Sequence, residues 1–233
     1  MTATLSKPDY SRPSHLSRPT RIFIVDDHAM IRYGLSRLIS DELELEVCGE
    51  STGADDAMAQ LAECQPDLVV VDISLERGNG LDLIKRIKAH HKEIKILVSS
   101  MHDESIFAER SLHAGALGYI NKCEATEKIV PAIRHVLGGQ IYLSAEMTET
   151  LLHRLANHNH DSLERPSIDL LSDREMEVYQ MIGEGNSSRQ IADALHLSIK
   201  TIETHREHIK DKLGLKNGNE ITRHAVLWVL ENN

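Results

Sequence analysis

Five polar side chains of this 233-residue chain close short apolar runs, where a parallel sheet would bring them together. Asp26 and Asp27 end "IFIVDD", Asp72 stands in "VVVDIS", Ser100 ends "ILVSS" and Lys122 ends "GYINK". Three carboxylates within a few ångströms repel one another and raise their own pKa values unless a cation neutralises them. An all-oxygen group of this kind, without thiolate or imidazole donors, suits Mg2+, for which Mn2+ substitutes. A single aspartate after a strand reads equally well as a solvated loop residue. Four strands each delivering a polar group to one edge do not.

The elements that must position these residues are legible between 21 and 143. Runs rich in Val and Ile alternate with helical patterns, as in a parallel sheet covered on both faces. The strands are expected near 21–27, 43–51, 67–74, 94–100 and 118–122. In the first helix Ile31, Leu35, Leu38 and Ile39 recur on one face. Right-handed crossovers then give an α/β, doubly wound (βα)5 domain, whose functional crevice lies at the carboxyl ends of its strands.

Residues 1–20 are rich in Ser, Pro and Arg without an apolar core, and read as a disordered extension. Residues 144–167 read as a helix followed by a polar linker with Pro166. From 168 to 233 four short helices follow without a strand. Ser172 before Glu175 and Ser187 before Gln190 form capping-box patterns, and Ser198 and Asn219 are candidate N-caps of the last two helices. No apolar stretch approaches the roughly 20 residues of a membrane span. The composition, with 41% hydrophobic and 27% charged residues, is that of a globular chain. Cys48, Cys64 and Cys123 are odd in number and unpaired in spacing, which fits reduced thiols and a cytoplasmic location. The 14 histidines form no H-E-x-x-H.

The order Asp-Asp, Asp, Ser, Lys at successive strand ends resembles the receiver domain of two-component response regulators. The resemblance covers residues 21 to about 143 and extends to "VDDHAMIRYGL", "VVVDISLERGNGLDL", "ILVSSMHDE" and "GALGYINK". It implies that Asp72 accepts a phosphoryl group from a sensor histidine kinase. It also implies that Asp27, Asp72 and the backbone carbonyl of Ser74 ligate Mg2+, with Asp26 acting through a bound water. Lys122 and Ser100 would hold phosphoryl oxygens, and Ser100 and Tyr119 would form the switch, the ring entering space that Ser100 leaves. Two departures stand out: Ser100 replaces the commoner Thr, and Glu76 stands where Pro is usual. An aspartyl phosphohydrolase would carry a second carboxylate two residues after the nucleophile. Ser74 is there, so the resemblance implies no enzyme beyond slow self-dephosphorylation.

The carboxyl-terminal segment resembles the four-helix helix-turn-helix module of the NarL/FixJ (LuxR-type) regulators. "SSRQIADALHLSIKTIETHREHIKDKLG" is the core of the match. In its second helix Ile202, Ile209 and Leu213 share an apolar face, leaving Lys200, Thr201, Glu203, Thr204 and Glu207 towards a major groove. Arg189, Arg206, Lys210 and Lys212 are candidate phosphate contacts. The charge balance argues the other way, because residues 167–233 carry 8 basic against 11 acidic side chains, a net −3, whereas DNA binders show a basic footprint. Pairing of Glu203 with Arg206 and Glu207 with Lys210 along the helix is the favoured arrangement. Dimerisation on a two-fold site would double the phosphate contacts, with Ile221, Ala225 and Trp228 as candidates for the interface. The expected function is a phosphorylation-activated, dimeric regulator of transcription bound to double-stranded DNA, with a kinase partner and no membrane contact. The alternative is a phosphorylation-dependent protein-interaction regulator whose helix-turn-helix reads no DNA.

Overall fold

The computed structural model describes residues 18–76, 78–156 and 168–232. The 1–20 extension beyond Arg18 and most of the linker lie outside the described residues.

Five short strands, β1 Thr20–Val25, β2 Leu45–Ser51, β3 Leu68–Val71, β4 Lys95–Ser100 and β5 Gly118–Asn121, form one parallel sheet in the order β2-β1-β3-β4-β5. The expected (βα)5 architecture is the observed one, with each strand shorter than expected by one residue or more and β1 beginning one residue earlier, at Thr20. The central β3, "LVVV", is buried throughout, as strands covered on both faces must be. Its side chains alternate: Val69 and Val71 pack in one apolar cluster, Leu68 and Val70 in the other. Helices α1 Ala29–Ser40 and α5 Ala125–Leu137 cover one face. Helices α2 Ala54–Cys64, α3 Gly80–His90 and α4 Glu104–Ala114 cover the other.

An unexpected addition lies at the free edge of β5. Tyr142 donates its N–H to the Leu117 carbonyl at 2.9 Å and accepts from the Tyr119 N–H at 2.9 Å. This one-bridge strap covers backbone groups that an edge strand would leave bare. It leads into α6 Ala145–Ala156.

The second unit holds α7 Asp173–Gly183, α8 Ser188–Ala194, α9 Ile199–Lys212 and α10 Gly218–Asn232. Ser172 and Ser187 each close a reciprocal capping box, and Ser198 caps α9 through the Thr201 amide. The last cap differs from expectation. Helix α10 starts at Gly218, so Asn219 lies inside it, and Asn217 accepts the Glu220 amide at 3.1 Å instead. Both asparagines offer the same oxygen, and the earlier one is three residues before a free amide. Ile202, Ile209, Leu213, Ile221 and Ala225 are buried in this unit's core.

Candidate functional site

The sheet backbone itself delivers the first carboxylates. Beyond the last residues of β1 and β3, the Asp26 N–H still donates to Ser51 O at 3.1 Å and the Asp72 N–H to Val25 O at 2.8 Å. Both aspartates therefore leave the sheet at one level, beside the point where strand order reverses around β1. The Arg32 guanidinium donates to Asp26 O at 2.6 Å and holds that turn from α1. On the β3 side, Gly80 sits so close that a Cβ there would stand 2.0 Å from the Asp72 carbonyl oxygen. Only glycine lets α3 begin against the aspartate. Asn79 caps that helix through the Leu81 amide.

Lys122 follows β5 and its ammonium lies 2.6 Å from both Asp26 Oδ2 and Asp72 Oδ2, with only 2% of its side chain exposed. This lysine supplies part of the neutralisation that the sequence assigned wholly to a metal ion. Burial pushes the Asp72 carboxyl up to about 6, against the pull of Lys122. Burial works against the charge of Lys122, yet Asp72 and Asp26 hold its pKa above the ordinary lysine value.

The residues fit a divalent cation. Single donor atoms from Asp26, Asp27, His28 and Asp72 lie within 4.8 Å of one another. Asp72 Oδ1 and Asp27 Oδ1 are buried without a hydrogen-bond partner, a costly condition that ligation removes. An imidazole also stands at this acidic group, His28 Nδ1 lying 2.6 Å from Asp27 Oδ1. Its position as the residue just before α1 folds the ring back over the site, which apolar patterning does not reveal.

Ser100 is fully buried and accepts from the His102 amide at 3.3 Å. Tyr119 already lies inside, 1% exposed, its hydroxyl donating to the His102 carbonyl at 2.8 Å. The inward ring therefore coexists with an unmodified Asp72 and with Ser100, a side chain that lacks the methyl group of threonine. The Ser74 hydroxyl lies 2.8 Å from His102 Nε2. Burial lowers the His102 pKa to about 4.

None of the sequence patterns pointed to what lies beyond His102. Helix α7 packs across the same loops: Arg110 of α4 donates to Leu171 O at 2.9 Å and pairs with Asp173 at 3.1 Å, and Lys85 of α3 pairs with Asp173 at 2.7 Å. Glu177 is fully buried, held by Arg174 at 2.6 Å and 3.8 Å from His102. Burial pushes its carboxyl up to about 7. His196, in the turn between α8 and α9, stands 4.0 Å from Asp27 Oδ2. Charges separated by 63 to 169 positions leave no local signal of such pairing.

On α9, Lys200, Glu203, Thr204 and Glu207 are exposed, Thr201 is half-buried, and Arg189 of α8 is exposed. Arg206 approaches Glu203 at 3.9 Å and Lys210 pairs with Glu207. Lys212 is drawn away to Glu175 at 2.6 Å. Ile221 and Ala225 face the core, while the half-buried Trp228 ring lies 5.6 Å from that of Tyr179, tilted by 59°.

A doubly wound domain with an Asp-Asp-Asp-Lys cleft, followed by a four-helix helix-turn-helix, defines a signalling protein with separate input and output units. The chain belongs to the two-component response regulators of the NarL/FixJ type. A family model described as the response regulator receiver domain matches residues 22–134, and one described as bacterial regulatory proteins of the luxR family matches 169–225. The oxygen regulatory protein NreC of Staphylococcus haemolyticus is 33% identical over 209 residues, covering 88% of this chain and 96% of its own. NreC of Staphylococcus aureus is 34% identical with the same coverage. The structure of a LuxR-family two-component response regulator from an Aurantimonas species covers 60% of this chain and 100% of its own, at 31% identity and a TM-score of 0.56. RcsB of Salmonella typhimurium shares the fold over 90% of this chain and 98% of its own, at 24% identity and a TM-score of 0.62. The chain is thus a response regulator with a receiver domain and a LuxR-type DNA-binding domain. Among the described residues no helix is long and apolar enough to cross a membrane.

Proposed function

We propose that Asp72 accepts a phosphoryl group from the phosphohistidine of a sensor histidine kinase, and that the phosphorylated chain binds two-fold DNA as a homodimer to regulate transcription. The observation that carries the first step is Asp72 itself: 3% exposed, one oxygen paired with Lys122 and the other without a partner. The ionised carboxylate attacks phosphorus, the P–N bond breaks, and the donor imidazole departs with its electron pair. No general base is needed. The residues' task is in-line positioning and charge neutralisation. Lys122 would follow the incoming oxygens, leaving Asp26 as its second anchor, and the Ser100 hydroxyl would donate to another oxygen. Asp27, Asp72 and the Ser74 carbonyl would hold Mg2+, with Asp26 engaged through water; the ion supplies charge neutralisation at the equatorial oxygens. With Ser74 rather than a carboxylate two residues after Asp72, hydrolysis of the phosphoryl group would be slow and unassisted.

Intact-mass measurement after treatment with acetyl phosphate and Mg2+ tests this step. One added phosphoryl group on the wild type and none on Asp72→Asn is expected; equal modification of both would remove the assignment. Selection from a random duplex pool tests the output. Phosphorylated protein is expected to enrich related two-fold sites, with steep salt dependence.

The second reading, a protein-interaction regulator that reads no DNA, is favoured by the engagement of Arg206, Lys210 and Lys212 with glutamates. Recovery of no shared sequence, with or without phosphate, would favour it.

A further inference from the structure

We propose that the receiver's cation site is a mixed nitrogen and oxygen site: His28 Nδ1 is a ligand beside the aspartates, so the site prefers borderline transition ions such as Ni2+ to Mg2+. The inference rests on the acidic-site reading above and specifies its metal chemistry.

The spacing around His28 motivates it. Nδ1 lies 2.6 Å from Asp27 Oδ1 and 3.6 Å from Asp26 Oδ1. Asp27 Oδ1 is buried without a hydrogen-bond partner although it faces the ring at ion-pair distance, and that side chain is only 9% exposed. With Asp26 and Asp72, the two atoms belong to one group of four donors within 4.8 Å of one another, a spacing that neighbouring ligands on one ion reach at about 3 Å for metal–ligand bonds of about 2.1 Å at right angles. The backbone at His28 is anchored, because its amide N–H donates to Asp26 Oδ1 at 2.8 Å. The ring is also placed cheaply. Its side chain is 65% exposed, so ligation would bury no new charge.

The choice of ion follows from donor chemistry. Mg2+ is hard, gains little from imidazole and keeps water in that position. Ni2+, Co2+ and Zn2+ bind imidazole well, and their affinity for mixed sites rises along the first-row series to copper. The bland alternative is an imidazole that merely pairs with Asp27, which would affect all divalent ions alike.

Full-length wild type, His28→Ala and Asp27→Asn would be compared by calorimetric titration with Ni2+ and Mg2+ and by pulsed EPR of bound Mn2+. The expected result for His28→Ala is a Ni2+-over-Mg2+ affinity ratio lower by on the order of 10-fold, with Mg2+ affinity altered less than about 3-fold. Wild-type Mn2+ is expected to show the modulation of one imidazole nitrogen, lost in His28→Ala. Absence of that modulation from the wild type, its persistence in His28→Ala, or equal weakening of both ions would overturn the role of His28. Asp27→Asn binding Mn2+ as tightly as the wild type would instead overturn the acidic site itself. Because His28 is exposed, His28→Ala is expected to keep the wild-type circular dichroism, and His28→Gln gives the same comparison with a ring-sized side chain.

Discussion

The acidic cleft and the surface of α9 are built from the same kinds of side chain and differ in where the charges are placed. At the strand ends, Lys122 touches two carboxylates with 2% of its side chain exposed. On α9, Glu207 pairs with Lys210 while 64% of its side chain remains in solvent. Removal of a partner from the first arrangement strands a buried charge, whereas the second exchanges its partner for water. Loss of a charge from the cleft is therefore costly, whereas the pairs on α9 can be exchanged at little cost.

The sharpest way to break this contrast is Lys122→Ala. In metal-free protein it leaves Asp26 and Asp72 facing each other without a cation, at a cost of about 3–5 kcal/mol. Denaturant titration with a chelator present would measure it, and Mg2+ is expected to restore part of the loss. A loss below about 1 kcal/mol would mean that the cleft behaves like the surface pairs of α9.

Asp72→Asn should do the reverse. Its carboxyl is held at about 6 against an ordinary 3.8, so the fold favours the neutral acid. That contribution is fully present below pH 4 and lost as the pH rises through 6. At pH 7.5 the metal-free variant should therefore exceed the wild type by about 2 kcal/mol, and the advantage should vanish near pH 4. An advantage independent of pH would show that charge burial is not its cause.

How much of each region was legible follows from the same contrast. Asp26, Asp27, Asp72, Ser100 and Lys122 could be placed together because each ends an apolar run, and a doubly wound parallel sheet brings the carboxyl ends of its strands to one edge. The capping boxes at Ser172 and Ser187 were equally local. The position of His28 over the cleft and the docking of Glu177 beside His102 were not, since both depend on loop direction and on pairing between units. Asn217 displaced Asn219 as a cap by a two-residue difference that no periodicity resolves.

Re-pairing α9 tests the other half of the comparison. Glu203→Gln with Glu207→Gln frees Arg206 and Lys210 for phosphates. The expected gain in DNA affinity is about tenfold, with a steeper dependence on salt. Stability should change by less than about 1 kcal/mol, as for exposed pairs in general. Filter binding across a salt series and a denaturant titration of the same sample would check both; unchanged affinity would leave the glutamates as mere solubilising groups.

The smallest effect concerns the seam between the two regions, where a carboxylate of the output unit is buried as deeply as those of the cleft. Burial raises Glu177 to about 7 against Arg174, so docking of α7 on the receiver favours its neutral form. That contribution is complete below pH 4.5 and is lost as the pH rises through 7. His102 opposes it only at lower pH: lowered to about 4, it favours docking above 6.5 and loses that contribution as the pH falls through 4. Between pH 6.5 and 8 the glutamate therefore dominates. Small-angle scattering of the unphosphorylated wild type should show the radius of gyration rising over that interval, while Glu177→Gln stays compact, a difference of about 1 kcal/mol in docking free energy. Identical profiles for the two would mean that Glu177 keeps its raised pKa when the units separate. The seam would then belong, like α9, to the output unit alone.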